Sequence, residues 1–168
     1  MLFSATWLDA VLALVGSVAD LGGTHQFLTY TQLQIDQDPI EQRAWTGMSI
    51  PLLIVDDSNM ARKQVLRALP KDWDVEVTLA QTGVEALEAI TQGKGEVVFL
   101  DLTMPELDGY GVLTALKEHG IDPLVFVISA DIQPEAKERV RKLGAAEFLS
   151  KPVDAERLSE LLARYGLL

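Results

Sequence analysis

The chain has no cysteine among its 168 residues. Disulfides, thiolate nucleophiles and zinc sites built on sulfur are therefore excluded. Histidine is nearly as scarce, since His25 and His119 stand alone and are too few for a His-rich transition-metal centre. Bases are outnumbered, 14 Lys and Arg against 25 Asp and Glu, for a formal net charge of −11. A chain of that sign lacks the basic field that nonspecific binding to nucleic acid or anionic lipid requires. No Lys or Arg precedes Arg43, so the opening apolar stretch lacks the basic start of a secretory signal. Bracketed by Asp9 and Asp20, that stretch also falls short of the roughly 20 apolar residues of a membrane span. What remains is a chain with 48% apolar residues, enough to bury a core. A cytoplasmic protein is expected, with an acid surplus suited to a hard cation such as Mg²⁺ held by oxygen ligands.

The surplus is spread over two unlike parts. Residues 1–48 hold five acids and the single base Arg43, a net of −4, whereas residues 49–168 hold 20 acids and 13 bases, a net of −7. The first part opens with Trp7, Leu8, Val11, Leu12, Val15 and Val18, spaced at three and four residues as on one apolar face of a helix. Ser4 or Thr6 would cap that helix and Gly22–Gly23 would end it. Such a helix must pack on something, and a homodimer or a docked helix is one expectation. The other is that Met48 is an internal start, with the preceding residues an upstream addition. Residues 24–47 are polar and mixed, and no motif emerges from them.

Residues 49–168 read as strand and helix in strict alternation. Apolar runs at 52–55, 97–100, 124–128 and 146–149 and the strand-like segment 75–80 are expected strands. Segments 59–69, 83–91, 110–118, 134–143 and 155–165 carry helical spacing, with Pro70, Gly120 and Gly144 as stops. Runs that are continuously apolar rather than alternating indicate a parallel sheet covered on both faces. Right-handed crossovers then give an α/β fold with an open, doubly wound, five-stranded sheet flanked by five helices, flavodoxin-like in type.

The polar residues fall where such a sheet binds ligands. Asp56, Asp57, Asp101, Ser129 and Lys151 each stand at the carboxyl end of an expected strand, and those ends converge on one rim. Three carboxylates in one place repel each other, so a divalent cation is needed to keep all of them ionised. With only oxygen donors, Mg²⁺ is the expected ion. One carboxylate is then free to attack phosphorus and form an acyl phosphate, with a lysine and a hydroxyl to neutralise the phosphoryl oxygens. Acyl transfer is disfavoured, because Ser129 has no histidine near it in the pattern.

Four ordered blocks carry a further signal: Leu-Ile-Val-Asp56-Asp57-Ser, then Asp101-Leu-Thr-Met-Pro105-Glu-Leu-Asp108-Gly109, then Val-Ile-Ser129-Ala130, and Phe148-Leu-Ser-Lys151-Pro152. With these blocks the sequence from about Pro51 to Leu168 resembles the receiver domains of two-component response regulators, close to the single-domain chemotaxis type. The resemblance implies that Asp101 is the phosphoacceptor for a histidine kinase or phosphotransfer protein. It implies that Asp57, Asp101 and the backbone carbonyl of Thr103 bind Mg²⁺ directly, and Asp56 through water. Lys151 would contact the phosphoryl group, with a cis bond to Pro152. Ser129 and Phe148 would be the switch pair, reshaping the face built from the fourth helix, last strand and last helix, where a downstream protein target binds. Asp131 and Thr103, two residues after switch serine and acceptor, lie where the family varies and tunes dephosphorylation.

Taken singly, each residue has a plainer reading. Asp56-Asp57 is more often a solvated turn, Lys151 a surface lysine, Phe148 ordinary core and Ser129 a helix cap. Asp108-Gly109 is read only as a turn. The basic cluster Lys137, Arg139, Arg141 and Lys142 reads as a solvated helix face ahead of a docking surface. Five strand ends carrying the needed groups together outweigh these readings. A Mg²⁺-dependent phosphatase of the haloacid dehalogenase class uses similar groups, but its nucleophile motif comes first and its acid pair last, the reverse of this order. The remaining alternative is a receiver cut from a longer regulator or hybrid kinase, because no output domain is expected within these residues.

Overall fold

The computed structural model describes residues 49–168, so the expected leader helix and the polar stretch behind it lie outside the described residues. Five strands and five helices alternate: β1 (Ile50–Val55), α1 (Asn59–Ala68), β2 (Val75–Ala80), α2 (Gly83–Thr91), β3 (Val97–Leu100), α3 (Gly109–His119), β4 (Leu124–Ser129), α4 (Pro134–Lys142), β5 (Glu147–Ser150) and α5 (Ala155–Arg164). The strands form one sheet in the order β2-β1-β3-β4-β5, and all four pairings are parallel.

Successive residues of a strand face opposite sides of the sheet, and two cores follow from that alternation. Leu53, Val55, Val98, Leu100, Val125 and Val127 meet Ala86, Ile90, Val112, Leu116 and Val140 of α2, α3 and α4. Leu52, Ile54, Phe99, Phe126 and Ile128 meet Val65 of α1 and Leu158, Leu161 and Leu162 of α5. Each helix therefore needs only one apolar stripe. Those stripes are what the three- and four-residue spacing encoded. Tyr165, just past α5, is half-buried, with its ring edge-on to Phe126 and its hydroxyl donating to the Ala146 carbonyl at 2.8 Å.

One expectation needs correction. β3 and β4 are buried throughout, but β2 is not covered on both faces, and Val77 and Leu79 are 36% and 47% exposed. β2 pairs only with β1 and is an edge of the sheet, and Glu76 and Thr78 interrupt its apolar residues, unlike the continuous run of β3.

Side-chain caps start most of the helices. Ser58, Thr82, Asp108 and Asp154 accept hydrogen bonds from the amides of Ala61, Glu85, Gly111 and Arg157. α4 begins instead with Pro134 at its first turn. The register places the rim. Val55 aligns with Leu100, so Asp56 and Asp101, the next residue of each strand, emerge side by side. Leu100 aligns with Val127, and Ser129 with Ser150, so Lys151 leaves the sheet further along and needs a long side chain to return to Asp101.

Candidate functional site

Three aspartates meet at the carboxyl ends of β1 and β3. One carboxylate oxygen from each of Asp56, Asp57 and Asp101 lies within 4.8 Å of the others. Asp56 and Asp101 are 3% and 4% exposed, whereas Asp57 opens to solvent. Lys151 reaches across from the end of β5, its Nζ donating to Asp56 Oδ2 at 2.6 Å and to Asp101 Oδ1 at 2.8 Å. The remaining oxygens are held by the backbone. Asp56 Oδ1 accepts from the Ser58 amide at 2.8 Å, and Asp101 Oδ2 from the Thr103 amide at 3.1 Å. The bond from Lys151 to Pro152 is cis.

Electrostatics set the condition of this cluster. Burial raises the Asp101 carboxyl above its ordinary value; Lys151 and the Thr103 amide oppose the rise, and Asp56 adds to it. Burial works against the Lys151 ammonium, but its bonds and charge pairing with Asp101 and Asp56 win, and its pKa is raised. A carboxyl whose folded pKa is raised holds its proton more tightly in the native than in the unfolded chain. Stability is therefore lost as pH rises from the ordinary aspartate value through the raised one, and the cost persists at neutral pH. Asp101→Asn is accordingly expected to melt above the native protein at pH 7 in metal-free buffer, with the gap closing toward pH 4. Thermal denaturation across that range checks the sign.

Ser129 sits 1% exposed at the end of β4. Its Oγ accepts from the Asp131 amide at 3.2 Å, and its carbonyl accepts from the Lys151 amide at 2.9 Å. Asp131 itself is turned to the Gln133 amide at 3.1 Å. Phe148 is half-buried at the rim of the α2–α4 core, and Lys137 Nζ lies 5.4 Å from its ring centroid. The basic residues of α4 form the exposed face expected of them, and they make only surface contacts: Arg139 stacks 3.9 Å over the Tyr110 ring, and Lys142 pairs with Glu138 of the same helix at 2.7 Å.

Two contributors to the site were not singled out from the sequence. Asp108-Gly109, read as a turn, caps α3 and brings it against the acceptor strand. A Cβ at Gly109 would collide with the Asp101 carbonyl oxygen and would lie 2.9 Å from Leu102 Cα. Only glycine admits that approach. The other is Arg62, 6% exposed, whose Nη1 donates to the Asp56 carbonyl. Its signal was available: Arg62, Val65 and Ala68 form the buried stripe of α1, and a charge on an inward stripe is anomalous.

A doubly wound parallel sheet with an acid-and-lysine cluster at its carboxyl rim defines a flavodoxin-like α/β domain whose site suits cations and phosphoryl groups. Comparison with known proteins narrows that class. The family model of the response regulator receiver domain matches residues 52–163. The response regulator MprA of a Mycobacterium species is 40% identical over 119 residues, covering 70% of this chain and 49% of the relative. An uncharacterized response regulatory protein of Shewanella oneidensis is 35% identical over 116 residues, covering 68% of this chain and 48% of its own length. Among solved structures, the signal receiver domain of the putative response regulator NarL from Mycobacterium tuberculosis aligns with a TM-score of 0.64 at 30% identity, over 71% of this chain and 98% of that one. The chain belongs to the response regulator receiver family, a family of signalling domains. It spans about half the length of these curated relatives. Among the described residues, no helix is long and apolar enough to cross a membrane.

Proposed function

We propose that the chain is a cytoplasmic phospho-accepting switch that takes a phosphoryl group from the phosphohistidine of a histidine kinase or phosphotransfer protein onto Asp101. The observation that carries this reading is the meeting of Asp56, Asp57 and Asp101 within 4.8 Å, beneath the single ammonium of Lys151. An all-oxygen donor set of that compactness fits Mg²⁺. Asp57, Asp101 and the Thr103 carbonyl would hold the ion directly, and Asp56 through water. What Mg²⁺ supplies when bound is positive charge that keeps the three carboxylates ionised and withdraws charge from phosphoryl oxygens.

The chain's own groups do the rest. An Asp101 carboxylate oxygen attacks phosphorus, the P–N bond to the donor imidazole breaks, and its electron pair stays on the imidazole nitrogen. Lys151 keeps its ammonium at the acceptor and neutralises the transferred group. The Ser129 hydroxyl, at the end of the neighbouring strand β4, donates to a phosphoryl oxygen. Phe148 then moves inward from beneath Lys137, changing the face of α4, β5 and α5 to which a downstream protein binds. A groove of about 520 Å³ on that face, lined by Phe148, Arg157, Leu161 and Arg164 among others, supports its use as a docking surface. A homodimer through residues 1–48 is part of the same proposal.

Acetyl phosphate tests the reading without a cognate kinase. Intact mass should show one phosphoryl adduct on the native protein with Mg²⁺ and none after chelation. Labelling that is indifferent to chelation would contradict the proposed use of the acidic cluster.

A further inference from the structure

A guanidinium buried to 6% exposure is costly to desolvate, and Arg62 recovers little of that cost. Its Nη1 donates to the main-chain carbonyl of Asp56, and its Nε is buried with no hydrogen-bond partner among the described residues. No carboxylate pairs with it among the described ion pairs. The neighbours on its stripe, Val65 and Ala68, are apolar, so a Met or Leu would serve packing better. The arginine is explained instead by what it touches. The Asp56 carbonyl belongs to the peptide that joins Asp56 to Asp57, just past the end of β1.

Asp56 is held at three points, of which only the carbonyl belongs to that peptide. The Asp56 amide donates to the Ala80 carbonyl at 3.2 Å, its carboxylate accepts from the Ser58 amide at 2.8 Å, and its carbonyl is held by Arg62. The first two bonds leave the peptide plane between Asp56 and Asp57 free to rotate about its flanking torsions. The third sets it. Rotation of this one plane would swing Asp57, the exposed member of the cluster, away from Asp56 and Asp101.

We propose that Arg62 is a positioning residue for the acidic cluster, acting through the Asp56 peptide to aim the Asp57 carboxylate at the cation. The inference rests on the reading of that cluster as a Mg²⁺ site. Groups that orient ligands from behind typically govern metal affinity by about 10- to 100-fold.

The test is Mg²⁺ titration by calorimetry on the full chain, as native protein, Arg62→Lys and Arg62→Met, beside thermal denaturation in chelator. Arg62→Met should bind Mg²⁺ about tenfold more weakly, Arg62→Lys should fall between it and the native protein, and the metal-free melting points should stay close together. Unchanged affinity in both variants, or a Met variant that fails to fold by circular dichroism, would overturn the role of Arg62 and make it a structural residue. Failure of the native protein to bind Mg²⁺ would instead overturn the reading of the cluster itself.

Discussion

Lys151→Met is expected to destabilise the metal-free protein by about 3 kcal/mol, since removing one partner of a buried ion pair leaves uncompensated charge. The estimate is taken from the low end of that range, because the Lys151 side chain is 26% exposed. For a domain of this size the loss lowers the melting temperature by about 10 °C. The cause is specific. Asp56 and Asp101 both lean on this ammonium, at 2.6 and 2.8 Å, and without it they face each other in a site that burial already makes hostile to charge. Two consequences separate this from generic loss of packing. The deficit should shrink as acid protonates the pair, and Mg²⁺ should stabilise the variant more than the native protein by replacing the missing cation. Labelling by acetyl phosphate should slow by about 100-fold, the usual cost of removing one preorganised donor to a developing charge. Differential scanning fluorimetry with and without Mg²⁺, at two pH values, checks the first set.

Gly109→Ala is the second large effect. An added methyl at a helix position ordinarily gains about 1 kcal/mol over glycine. Here it would press on the Asp101 carbonyl oxygen and Leu102 Cα, backbone atoms that cannot swing aside. Overpacking of this kind costs up to about 3 kcal/mol, so a net loss of about 2 kcal/mol is expected, together with reduced labelling as the acceptor strand end shifts. Gly111→Ala, two residues on, is the control. Its Cβ would meet the Leu107 and Asp108 side chains rather than backbone, and because the nearest atom is the far end of a half-buried leucine, it should be tolerated better. Urea denaturation of the two variants distinguishes a local close approach from a general demand for glycine in α3.

These two residues also show how the sequence carried its information. Strand and helix positions were readable to within about two residues because each helix buries one stripe and each central strand buries both faces. The expected strand at 52–55 is observed as Ile50–Val55, and the expected helix at 155–165 as Ala155–Arg164. Lys151 was legible because a polar residue at the end of an apolar run has few places to go in a parallel sheet. Gly109 was not, because its role depends on a contact with Asp101 that no local pattern encodes. β2 was misjudged for a related reason: whether a strand is central is decided by partners elsewhere in the chain. The partners of α4 were hidden likewise. Lys137 and Arg139 are solvent-facing as their sequence spacing suggests, and only the packed helix sets them over Phe148 and Tyr110. Arg62 stands between these cases, visible as a charge on an apolar stripe yet lacking any local clue to its partner.

The central claim is that Asp101 is the group that receives phosphorus. The native protein and Asp101→Asn, each treated with acetyl phosphate and Mg²⁺ and read by intact mass, test it most directly. The account predicts one phosphoryl adduct on the native protein and none on the variant, which keeps the shape of the site but loses the attacking carboxylate. Equal labelling of the two would contradict it.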